Sequence, residues 1–424
     1  MSQNLHSSSP VSMPSSTASW RDSWLLKFIF CVIGTAAEAI NFNLFSFTLK
    51  DMQQEFSITL TQSGSVGTVT LIGLALGGIV GGWSSDKFGR VKTYAFSLFF
   101  CSVFTFLQGY THSFQSFIIL RFLASVFMSA IYVSTVTLMS ESLPPKIRTT
   151  FMTLLIIGMS VGNMLLAQMA HSIVPVWGWR MMYWVMLAPA AVAVVMPFVV
   201  RESAVWLKLK QATSKASAQK HGSNPWQALY EDKASLKIFI FWIFASGFIQ
   251  FGLYGTFLWL PYFIEKQLGL SYDTMTTYML YVSLVSSITS FLSALIADKF
   301  GTRAVFFIMA AVTGVLMPMM SYYGHPDNAL MWIILCSCFL GNSYGIMAAY
   351  LSESFPSHFR GAAIGGVMNL GKAISAIGPT IIGFVAAHYN FTIGMMFLGA
   401  AYIISGVVAL LFIPSKLHEP VVPD

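Results

Sequence analysis

Twelve apolar runs, each about the length needed to cross a bilayer, follow one another along the 424 residues. A membrane-spanning helix takes about 20 apolar residues, because lipid offers no partner for an unpaired backbone group. The runs cover 24–49, 62–83, 93–111, 114–140, 149–171 and 180–201, then 236–264, 274–297, 304–323, 329–352, 361–387 and 391–414. A polar stretch, 203–235, separates six from six. Only 9% of the residues are charged and the mean hydropathy is +0.69. A water-soluble domain carries roughly 25% charged residues, so lipid is the main solvent of this chain.

The charged turns show that the six-plus-six division is a duplication. Asp86-Lys87-Phe88-Gly89 recurs as Asp298-Lys299-Phe300-Gly301, and Ser140-Glu141-Ser142 recurs as Ser352-Glu353-Ser354. Both pairs are offset by 212, half the chain. Parallel repeats in a membrane chain point to a transporter whose halves share one site near the midplane.

The net charge of +7 does not indicate nucleic acid, because the basic residues sit in loops. With both ends on one side, that side holds 18 Lys and Arg, whereas the other holds only Lys50, Arg180 and Lys266. The positive-inside rule places both ends in the cytoplasm of a cell that carries this protein in its inner or plasma membrane. The expected layout is a disordered tail (1–22), a six-helix bundle (23–202), a cytoplasmic linker (203–235), a second bundle (236–416) and a tail (417–424). Within the linker, Asn224-Pro225-Trp226 reads as an N-cap and a first-turn proline, starting a short surface helix over 226–230. The four cysteines lie in apolar runs and suggest neither disulfides nor a metal site. No nucleophile–base set is apparent, so the chain does not read as an enzyme.

Three charges fall inside the runs: Glu38, Arg121 and Lys372. Each costs about 2.5–3.5 kcal/mol at the bilayer centre, so each implies a cavity or a partner. Polar residues accompany them. Asn41 is three residues from Glu38 and Asn369 three from Lys372, while Gln250 and Tyr254 share a helix face. Asn43, Asn342 and Tyr344 complete the candidate substrate-binding set. Nearer the loops, Gly81 and Gly82 permit close backbone approach and Gly89 a tight turn. Asp86, Arg90, Glu141 and Arg148, with Asp298, Arg303, Glu353 and Arg360 in the second half, are expected to latch the two halves on the cytoplasmic side.

Gly82, Asp86, Lys87, Gly89, Arg90 and Lys92 resemble the signature of the major facilitator superfamily between its second and third spans. The echo departs from it at Ala294 and Thr302. Within that family the chain resembles the aromatic-acid:proton and carboxylate symporters. Glu38-Ala39-Ile40-Asn41 occupies the place of their span 1 acidic motif, and Lys372 before Gly378-Pro379 stands where they carry an Arg. The resemblance implies an all-α fold of twelve helices in two pseudo-symmetric bundles, working as a monomer without a cofactor. It implies proton-coupled uptake of a small organic anion, an aromatic carboxylate or a conjugated, muconate-like dicarboxylate. Glu38 and Arg121 would serve proton coupling, and Lys372 would hold the substrate carboxylate. Proton-coupled export of drugs or metabolites is the alternative.

Overall fold

A computed structural model describes residues 21, 23–144, 147–215, 225–356 and 359–414. The two tails beyond these limits, Lys146, Lys220 and the Asn224 cap lie outside the described residues, as does the side chain of Arg148.

Several helices start or stop for a local reason. The first half comprises α1 (Trp24–Phe56), α2 (Leu60–Phe88), α3 (Arg90–Gln108), α4 (Phe114–Ser142), α5 (Arg148–Trp177), α6 (Trp179–Val185) and α7 (Ala188–Val199). Thr59 and Gln62 form a capping box at the start of α2, and Ser113 caps α4. Gly89 separates α2 from α3 at φ 108°, a backbone conformation that disfavours any side chain. The span over 180–201 is not one helix but two, α6 and α7. Pro189 has no N–H for the carbonyl of Val185, where α6 ends.

Two short helices follow, α8 (Ala204–Lys215) and α9 (Pro225–Glu231). The second half comprises α10 (Lys233–Tyr262), α11 (Tyr272–Phe300), α12 (Thr302–Tyr323), α13 (Ala329–Ser337), α14 (Asn342–Ser354), α15 (Arg360–Ser375), α16 (Gly378–His388) and α17 (Phe391–Phe412). Two more expected spans are divided here. Gly341, at φ 82°, marks the break between α13 and α14. Pro379 cannot donate to the carbonyl of Ser375, where α15 ends. A single π-turn, Phe263–Gln267, extends α10 beyond Pro261. Among the described residues, eleven helical segments are long and apolar enough to cross a membrane, and α5 adds a further helix of 30 residues.

In the first half α4 packs on α2 and α3, α1 on α5, and α3 on α7. In the second half α17 packs on α10 and α12, and α10 on α15. Between halves, α2 meets α15 and α16 while α5 meets α11, and α1 meets α10. The first two contacts exchange under the 212-residue repeat, so the halves are related by a pseudo-twofold axis. This is a multi-pass membrane fold of two bundles. The end bearing the Gly89 turn and both chain ends is termed the terminal side, and the opposite end the far side.

Candidate functional site

The candidate residues at the cavity between the halves come from α1, α4, α10, α14 and α15. Glu38 on α1 is buried at 9% exposure, and its Oε2 has no hydrogen-bond partner. Lys372 occupies the last turn of α15, where a cation complements the carbonyl end of a helix. Glu38 and Lys372 are within electrostatic reach of each other, but no ion pair closes between them. The Lys372 ammonium has no hydrogen-bond partner among the described residues, and its side chain is half-buried. These two opposite charges, on different halves, are the only charged pair that the structure brings together at the cavity among the described residues.

Arg121 is placed otherwise. Its guanidinium donates to the carbonyls of Asn41 and Phe42 at 2.8 Å each, to the Thr70 hydroxyl at 2.9 Å and to Asn41 Oδ1 at 3.3 Å. It braces α1 and α2 against α4 and pairs with no carboxylate among the described residues. A cavity of about 20 Å³, room for one water, separates it from Tyr254, Leu258 and Pro379 of the second half.

Four of the candidate polar residues are committed elsewhere. The Asn41 amide donates to Thr105 at 2.7 Å and Cys101 at 3.2 Å, inside the first half. Asn43 donates to Asn163 at 2.9 Å. Asn342 receives the Ser290 hydroxyl at 2.8 Å and donates to the Cys338 carbonyl at 2.8 Å, inside the second half. Gln250 donates to Ser246 at 2.7 Å, although its Oε1 is buried without a partner. Asn369 does face the first half, resting against Gly78 of α2 beside Ser129 of α4. Tyr254 reaches across to set its ring against Phe42, 5.3 Å away and tilted by 54°, and its hydroxyl lies beside that of Tyr344.

The sequence reading missed Tyr132 on α4. It lies within electrostatic reach of both Glu38 and Tyr344, deep between the halves, and yet is 38% exposed. It therefore faces the cavity. Among 36 Phe and 16 Tyr, nothing in the sequence distinguishes it from a packing residue.

The terminal-side charges fasten each half internally. Arg90 pairs with Asp86 at 3.1 Å and Glu141 at 3.0 Å. Glu202 accepts the backbone N–H groups of Arg90 and Val91 at 2.9 and 3.1 Å, against Gly89, where a Cβ would strike its carboxylate. The Trp206 indole donates to the Asp86 carbonyl at 2.8 Å. In the second half, Thr302 replaces Arg90 and donates to Glu353 at 2.9 Å, Arg303 donates to the Leu410 carbonyl, and Arg360 to that of Phe355 at 3.0 Å. Asp298 forms no ion pair among the described residues. The expected latch between halves is not seen among the described residues: each of these charges that has a partner is held by an acid, a hydroxyl or a carbonyl of its own bundle. Gly81 packs against Ala130 as expected, but Gly82 faces open space.

Contacts between halves concentrate on the far side. Lys50 pairs with Glu265, Tyr272 donates to the Phe47 carbonyl at 3.1 Å, His171 meets Asp273 at 2.8 Å, and Thr68 meets Thr380 at 2.7 Å. At Gly64 the α2 backbone lies so close to the Pro379 carbonyl that a side chain has no room. The cavity is sealed from that side.

The Major Facilitator Superfamily model matches residues 31–365 and 282–424. The chain belongs to the Major Facilitator Superfamily. As a member of this superfamily it is a membrane transporter and not an enzyme. It is 36% identical over 397 residues to the cis,cis-muconate transport protein of Acinetobacter baylyi, covering 94% of this chain and 96% of the relative. The benzoate transport protein of the same organism is 23% identical over 416 residues, covering 89% and 87%. Among solved structures, a D-xylose-proton symporter superposes with a TM-score of 0.76 at 20% identity, covering 93% of this chain and 99% of the other. That likeness is one of major facilitator fold, and it agrees with the two-bundle architecture.

Proposed function

We propose that this major facilitator imports a small organic anion, an aromatic carboxylate or a conjugated dicarboxylate, together with a proton. The observation that carries this reading is the unpaired Lys372 ammonium facing the buried, unpartnered Glu38 across the cavity. A bare ammonium near the bilayer centre is costly, and a carboxylate ligand offsets that cost. Glu38, with no hydrogen-bond donor at Oε2, is more easily buried when it carries a proton. With a proton on Glu38, a monocarboxylate neutralises Lys372, and a dicarboxylate neutralises Lys372 and the buried Arg121 together, which lowers the cost of the halves rocking past the membrane interior. The named cargoes of the relatives, muconate and benzoate, have this chemistry. The excess of loop Lys and Arg supports cytoplasmic ends in an inner or plasma membrane. The halves contact each other within one chain, which suits a monomer. Arg121 supports coupling by holding α1, and with it Glu38, in register.

The test is transport by purified protein in proteoliposomes. Glu38→Gln should abolish proton-driven accumulation while substrate exchange persists, and full accumulation by that variant would remove Glu38 from coupling. Lys372→Met should abolish anion binding. Export of neutral or cationic compounds, the other reading that the sequence admits, requires no Lys372, so unchanged transport by this variant would favour it.

A further inference from the structure

We propose that Tyr132 and the Tyr254–Tyr344 pair form a neutral, phenolic subsite for the second carboxylate of a dicarboxylate whose first carboxylate sits on Lys372. This deepens the function proposed above and rests on it. A carboxylate needs donors, and a diacid presents two groups to a cavity with one available cation. Arg121 is not available, because its fork is held by the Asn41 and Phe42 carbonyls and the Thr70 hydroxyl. The Asn41, Asn43, Gln250, Asn342 and Asn369 amides already donate inside their own halves.

The phenols remain. The Tyr132 hydroxyl has no partner among the described residues, and its ring is 38% exposed between the halves. The Tyr254 and Tyr344 hydroxyls lie beside each other, and neither is held by a carbonyl or carboxylate among the described residues, so a phenolic O–H is left to donate. Tyr132 belongs to the first half and the other two to the second, so an anion held by all three bridges the halves. Phenols also suit the elementary electrostatics. They meet an anion with dipoles and add no net positive charge, so the empty carrier holds one cation at the cavity and not two.

The experiment measures the binding of cis,cis-muconate and benzoate to the purified full-length protein by calorimetry, at fixed pH and salt. Tyr132→Phe should weaken muconate binding about tenfold, the scale of one lost hydrogen bond to a charged group, and change benzoate binding less than twofold. Tyr344→Phe should do the same. Equal losses for both acids, or no loss for either, would overturn the subsite. An unliganded unfolding temperature equal to that of the wild type identifies a specific loss; a variant that unfolds early is replaced by Tyr132→His, which keeps a ring and a donor and should retain the preference for the diacid. Lys372→Met separates the two proposals. If it still binds either acid as the wild type does, or if the wild type binds neither, the proposed function fails and the subsite with it. If it loses both acids while Tyr132→Phe loses neither, the function stands and the phenolic subsite falls.

Discussion

Arg121 shows how much a single residue's surroundings alter its meaning. A buried guanidinium in a helix bundle ordinarily suggests an ion pair or a ligand. Here its donors go to two carbonyls and a hydroxyl, an arrangement that the planar fork of Arg makes and the single ammonium of Lys does not. Arg121→Lys should therefore lower stability by about 2 kcal/mol, the scale of a hydrogen bond to a charged group. The measurement is the unfolding temperature in detergent, and no change would contradict the bracing role. Glu38 and Lys372 were legible in the sequence because charge within an apolar run is rare. Asn41 was legible only by spacing, which misleads. Three residues along a helix is a turn of about 300°, enough for the amide to face Thr105 of α3 while Glu38 faces the cavity. The Arg90 and Glu202 contact was not legible at all, since it joins positions 112 apart with no shared motif.

At the scale of helices, the breaks matter more than the lengths. Apolar runs announce a span but say nothing of continuity, so α6–α7, α13–α14 and α15–α16 each read as one segment. Pro189 and Pro379 are visible in the sequence, yet a proline in a membrane helix is tolerated often enough that its presence alone does not predict a break. The α15–α16 break has a particular use. It places the carbonyl end of α15 beside Lys372 and lets Pro379 close against α2 at Gly64. Pro379→Ala restores the missing N–H opposite the Ser375 carbonyl. It should leave thermal stability within about 1 kcal/mol, since Pro379 lies in the first turn of α16 where a missing N–H costs little, and lower turnover roughly fivefold by stiffening the segment that carries Lys372. Turnover equal to the wild type in proteoliposomes would show that the break is not used.

Across the whole molecule, the duplication left like folds with unlike fastenings. The first half closes its terminal-side turn with an ion pair, Arg90 and Glu141, and the second closes the equivalent turn with a hydroxyl, Thr302, on Glu353. The cross-half pairs, by contrast, lie on the far side. Lys50 and Glu265 hold α1 to the π-turn that follows α10, with Glu265 buried at 8% exposure. Glu265→Gln should weaken the far-side seal and shift the population toward a far-side-open form, about tenfold for each 1.4 kcal/mol lost. The measurement is labelling of a cysteine placed at Val66, in the small cavity behind the seal, by a membrane-impermeant thiol reagent. Labelling no faster than in the unmutated seal would show that the other far-side contacts suffice.

The anchoring of the two short helices has a consequence for how the molecule can be made. Trp206 ties α8 to the first bundle through Asp86, and Trp226 seats α9 beside Phe239 and Gly366 of the second. Each bundle thus carries its own piece of the connector, and the bundles meet through helix faces that do not depend on the peptide between them. Two genes, one encoding residues 1–218 and the other 219–424, should yield a working carrier when expressed together, recoverable as a pair from a tag on either product. Failure of the separately made products to co-purify would mean that covalent continuity is itself required for assembly.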